Sequence, residues 1–142
     1  MEPIQIILDT NVLYSALRSR KGAAFLLLSL LPSEKFLLNV SVPLILEYED
    51  VLKRKENELY FTSEELDQIL DNLCAMANRH DVFYLWRPLL TDPGDDLILE
   101  LAVKANCSYI VTYNKQDFAG VDSFGVKIVD AREFLKIIGE LP

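Results

Sequence analysis

Apolar residues follow two alternating rhythms along the chain. Short runs rich in β-branched and aromatic residues, at 4–8, 36–40, 82–85, 109–112 and 126–129, predict strands. Between them, apolar positions recur every three or four residues and predict helices at about 11–17, 22–31, 43–55, 63–79 and 95–106, with a last one near 131–139. Alternation of this kind implies a parallel sheet covered by helices on both faces. Pro43 suits the first turn of a helix, and Thr62 or Ser63 can cap the one that Glu64 and Glu65 open. Thr91-Asp92-Pro93-Gly94 is turn chemistry that delivers Asp95 and Asp96 to a helix start. The nearly unbroken apolar stretch 23–31 is far short of the roughly 18 to 20 residues of a membrane helix, so it reads as a buried helix and no membrane is expected.

With 142 residues, 51% of them apolar, the chain is expected to form one domain over 1–142 around one core. Met1-Glu2-Pro3-Ile4 carries no export signal, which predicts a cytoplasmic protein. Cys74 and Cys107 lack metal-ligand spacing and read as two reduced, packed thiols. The formal charge of −8 argues against broad adhesion to nucleic-acid phosphates, which comes from Lys and Arg. A local basic rim remains available in Arg18-Ser19-Arg20-Lys21 and Lys53-Arg54-Lys55. The single His80, in a polar stretch, is expected at the surface, and without a second histidine a triad or His-rich zinc site loses support.

What remains is a set of carboxylates placed where apolar segments end: Asp9 after Ile6-Ile7-Leu8, Glu47 after Ile45-Leu46, Asp95-Asp96 before Leu97-Ile98-Leu99, and Asp117 soon after Ile110-Val111. Ionised groups beside a core need a cation or a neutralising partner, so a metal site is the first expectation. In a parallel sheet Asp9, after the first strand, and the helix start at Asp95, before a later strand, meet at one edge. Asp9 can also serve as a helix N-cap, and Asn114 with Asp117 as a turn. At about 100° per residue, Asp95 lies about 70° from the centre of the arc Ile98, Leu101, Ala102, Ala105, and Asp96 about 170° away. Asp95 is therefore expected to face the sheet edge and Asp96 to be solvated. Phase does not separate Glu47 from Glu49, both on the border of the arc Leu44, Tyr48, Val51, Leu52.

The strings Ile6-Ile7-Leu8-Asp9-Thr10-Asn11-Val12-Leu13, Ile45-Leu46-Glu47-Tyr48 with Val51-Leu52, Asp92-Pro93-Gly94-Asp95-Asp96 with Ala102, and Ile110-Val111-Thr112 before Asp117-Phe118 together resemble the PIN-domain ribonucleases. Within that family they are most similar to VapC-type toxins of prokaryotic toxin-antitoxin pairs. The resemblance runs over nearly the whole chain and implies a three-layer α/β/α sandwich whose five parallel strands run in the order 3-2-1-4-5. It implies Mg²⁺ or Mn²⁺ in an acidic pocket and cleavage of RNA. It selects Glu47 over Glu49 and supports Asp95. The metal set it implies is Asp9, Glu47, Asp95 and Asp117, the last at the outer edge, with Asn11 and Thr112 positioning water or substrate. Asn114 stands where many members carry an aspartate. A homodimer and an antitoxin partner are implied too, and Tyr48, Tyr60, Phe61, Phe83, Tyr84 and Trp86 supply material for such contacts.

Three rivals are weaker. A haloacid-dehalogenase-like phosphatase needs a second aspartate where this chain has Asn11, and a signal-receiver domain needs a paired acidic motif that the first strand lacks. An inactive PIN-like module that binds RNA or protein without cutting would lack at least one of Asp9, Glu47 and Asp95, and all three are present.

Overall fold

Ile6 and Ile7 point to opposite faces of one strand, and both are fully buried, so both faces of the sheet are covered. In the computed structural model, which describes residues 2–82 and 93–142, five strands form one sheet: β1 (Ile4–Leu8), β2 (Phe36–Ser41), β3 (Asn78–His80), β4 (Tyr109–Val111) and β5 (Lys127–Val129). They pair parallel throughout in the order β3-β2-β1-β4-β5. The helices are α1 (Thr10–Arg18), α2 (Ala23–Ser29), α3 (Val42–Arg54), α4 (Ser63–Met76), α5 (Pro93–Lys104) and α6 (Ala131–Ile137). The expected sandwich and strand order are both present. Successive strands step outward from β1 to β3 and then return to its other side, so the order reverses between β1 and β4. Ligand crevices in open α/β sheets lie beyond the carboxyl ends of the strands at that reversal.

Local chemistry sets the helix starts. Asp9 caps α1 by accepting from the Thr10 amide, and Ser41 caps α3 by accepting from Leu44, with Pro43 in the first turn. Capping boxes open α4, between Thr62 and Glu65, and α6, between Asp130 and Glu133. At the amino ends of the strands, Phe134 of α6 packs edge-on against Phe36 and Tyr109, with ring centroids 5.4 and 5.7 Å apart. Cys74 and Cys107 are free thiols, and burial pushes the Cys107 thiol up to about 12. No helix among the described residues is long and apolar enough to cross a membrane.

The third strand departs from expectation. Residues 78–79, read as the end of a helix, instead begin β3, and α4 stops at Met76. Of the strand expected at 82–85, Val82 lies outside regular structure and the rest falls outside the described residues, as do Thr91, Asp92 and the aromatics Phe83, Tyr84 and Trp86. β3 is polar because it is held by side chains as well as by its ladder with β2. Asn78 donates to Gln5, Asn39 donates to the same Gln5 oxygen, and His80 Nε2 lies 2.8 Å from Asn39 Oδ1. His80 is thus half-buried in a polar chain rather than a surface residue. The helices expected at 22–31, 95–106 and 131–139 occupy 23–29, 93–104 and 131–137.

Candidate functional site

Asp9 leaves the sheet at the carboxyl end of β1, where its amide donates to Val111 O of β4 and its side chain turns into α1. Each of its carboxylate oxygens is held. Oδ1 accepts from the Thr10 amide at 2.8 Å, while Oδ2 accepts from Thr112 Oγ1 at 2.7 Å and from Asn11 Nδ2 at 3.3 Å. Thr112, completely buried one residue past β4, also receives the Asn114 amide, and Asn11 Oδ1 receives the amide of Tyr113. The strand-order reversal thus brings together residues about a hundred positions apart around one carboxylate.

Glu47, on the flank of α3 that faces α1, accepts from Thr10 Oγ1 at 2.6 Å. Below it Tyr48, wholly buried, donates its hydroxyl to Leu8 O, which ties α3 to the end of β1. Asp95 sits in the first turn of α5, and Asp117 in a 3-10 turn (Lys115–Phe118) anchored by buried Phe118. One cleft of about 390 Å³ is lined by Asp9, Asn11, Glu47, Asp95, Asn114 and Asp117, together with Thr10, Tyr14, Val51 and Lys55. Glu49 lines a separate depression with Asp50, Lys53 and Arg54. Asp9, Glu47, Asp95 and Asp117 thus line one cleft, and Asp117 is exposed.

Asp96 corrects the phase argument. It is 6% exposed rather than solvated, and Glu100, one turn further on, is equally buried. The helix starts at Pro93, and Ile98 to Ala102 are all buried, so α5 is covered almost all round and one apolar arc does not locate its outside. The sequence reading also missed Tyr14 and the bridge from Thr10 to Glu47. Tyr14 stands at the cleft wall with Lys55 Nζ 4.7 Å over its ring, and its hydroxyl donates to Glu58. Apolar spacing on α1 gives Tyr14 a place on the helix but no signal of a polar neighbour.

Burial raises the Asp9 pKa above the ordinary 3.8, opposed by the bonds from Thr112 and Thr10 and reinforced by the charges of Glu47 and Asp117. A carboxylate in that position is best neutralised by a cation. Among the described residues no three His, Cys, Asp or Glu side chains are grouped closely enough to hold a metal ion together. The donors facing the cleft are nonetheless oxygens, the chemistry of hard cations, and Mg²⁺ is commonly held by one or two carboxylates while keeping several waters. The residues fit a hydrated hard cation and not an enclosed one.

Thr112→Val is expected to raise the Asp9 titration midpoint further, because it removes a bond that lowers it. A carboxyl NMR titration would read the shift. Stability at pH 7 should fall by about 1–3 kcal/mol through loss of a buried bond to a charged group, and by less once acid has protonated Asp9. An unmoved midpoint would show that the Thr112 hydroxyl does not hold Asp9.

Among known families, a model described as PIN domain matches residues 5–116. That span runs from within β1 into the turn that carries Asp117 and takes in every element of the cleft up to Gln116. No curated protein matches the chain.

Proposed function

This chain belongs to the PIN domain family, a family of nucleases that typically use divalent metal ions, and from that premise we propose that it is a Mg²⁺- or Mn²⁺-dependent ribonuclease. The observation that carries this reading is the cleft at the strand-order reversal, which Asp9, Glu47, Asp95 and Asp117 all line. From this set one or two carboxylates would hold a hydrated cation directly and the others would face its waters; when bound it would supply charge for the phosphate and lower the pKa of water.

The chain's own side chains then have distinct tasks. Asp9 is fixed at both oxygens and offers a carboxylate in one orientation. Asn11 and Thr112 keep it there. Glu47, steered by the Thr10 hydroxyl, orients the attacking water, which adds to phosphorus as the bond to the departing sugar oxygen breaks. Lys55 supplies positive charge on the cleft wall for a neighbouring phosphate.

The toxin role is supported by the resemblance of the four motifs to VapC-type toxins. With it come an antitoxin partner, a homodimer and a cytoplasmic setting. The test is cleavage of a mixed RNA pool by the purified chain. Cutting should appear with Mg²⁺ or Mn²⁺, vanish with EDTA and return with excess metal. Cutting that persists in EDTA would remove the metal from the account.

A further inference from the structure

Near the acidic cleft lies a largely apolar groove of about 330 Å³ that carries two arginines, formed where α1 ends and the chain leads into α4. Arg18 and Arg20 line it together with Phe25, Tyr60 and Phe61. Tyr60 is 90% exposed, a large ring displayed to solvent rather than packed. Neither arginine is ion-paired with a carboxylate among the described residues, whereas Lys35, Lys53, Arg54 and Lys115 each are. The two depressions approach one another at Tyr14 and Arg18. Tyr14 lines the acidic cleft, and the Arg18 guanidinium, one helical turn on, lies 6.0 Å from its ring.

An aromatic face flanked by guanidinium groups that no carboxylate neutralises suits an unstacked base and its phosphate. In a chain of net charge −8, such a phosphate is attracted only where positive charge is local. From this proximity we infer that the groove is a subsite for a nucleotide flanking the cut in single-stranded RNA, with its base on Tyr60 and its phosphate against Arg18 and Arg20. The subsite gives the ribonuclease reading a substrate class, and rests on that reading. Bases held in a duplex have no free face for the ring, so single strands are preferred over double ones.

The experiment uses the full chain in EDTA, where bound RNA stays intact, with a fluorescent single-stranded RNA and the same sequence as a duplex. Tyr60→Ala and Arg20→Ala are each expected to weaken single-strand binding about tenfold, and Tyr60→Phe to restore it. Arg20→Ala should also reduce the salt dependence by about one phosphate contact, while Lys127→Ala on β5 changes nothing. Variants that bind as tightly as the wild type overturn the subsite, and if the wild type cuts RNA with metal, the nuclease reading stands without it. A wild type that binds through Tyr60 but never cuts does the reverse. If Tyr60→Ala leaves RNA binding intact but converts a dimer to a monomer in light scattering, the groove is a protein interface and the proposal falls.

Discussion

Asp9→Asn is expected to lower RNA cleavage by about a thousandfold, since charge stabilisation at a metal site is worth several kcal/mol and each 1.4 kcal/mol or so is a factor of ten. The fold should survive. Asparagine caps a helix as well as aspartate, so the bond to the Thr10 amide that starts α1 is kept. Stability separates this variant from a misfolded one. The folded pKa of Asp9 lies above the ordinary 3.8, so the wild type loses stability from this group as pH rises through the raised value, and the asparagine does not. In metal-free protein, the difference in melting temperature should therefore move in favour of the variant between acid and neutral pH. An inactive variant whose relative stability instead worsened with rising pH would mean that Asp9 is favourably ionised and serves the fold.

Phe134→Ala should produce the largest loss of stability, about 3–5 kcal/mol, or on the order of 10 °C in melting temperature. Phe134 is fully buried and touches Phe36 and Tyr109, the first residues of β2 and β4, so it holds α6 against the amino ends of both strands. The cleft lies at the opposite ends of those strands. Cleavage measured well below the lowered melting temperature should therefore be close to that of the wild type. A loss under about 1 kcal/mol would mean that α6 contributes little to the core.

The two variants divide the molecule into a scaffold and a site, and sequence pattern captured them unequally. β1 was legible because a strand buried on both faces must be apolar at consecutive positions, and Asp9 was legible because a charge immediately ends that run. Asp95 does line the cleft, although its helix starts two residues earlier than the turn chemistry implies and the phase argument that set it apart from Asp96 fails. β3 left no such trace. Asn78-Arg79-His80 has no β pattern, and no glycine or proline marks the end of α4 before it. The strand exists because Asn39↔Asn78 and Ser41↔His80 come into register on β2 and because Gln5 and Asn39 bond its side chains. The burial of Asp96 was illegible for a related reason, since a helix covered on nearly all sides carries no single apolar stripe. Contacts such as Thr10 to Glu47 join positions that only the packed fold places side by side.

The cleft is the point at which fold and chemistry meet, and Mn²⁺ binding read beside RNA cleavage on the same samples tests it most directly. Wild type and Asp95→Asn would be compared by electron paramagnetic resonance as Mn²⁺ is added, with cutting of the RNA pool followed in parallel. The account predicts that the wild type binds Mn²⁺ and cuts in proportion to occupancy, and that the folded variant loses both. Wild-type cutting that proceeds equally in the variant, or Mn²⁺ binding unaffected by the loss of Asp95, would contradict it.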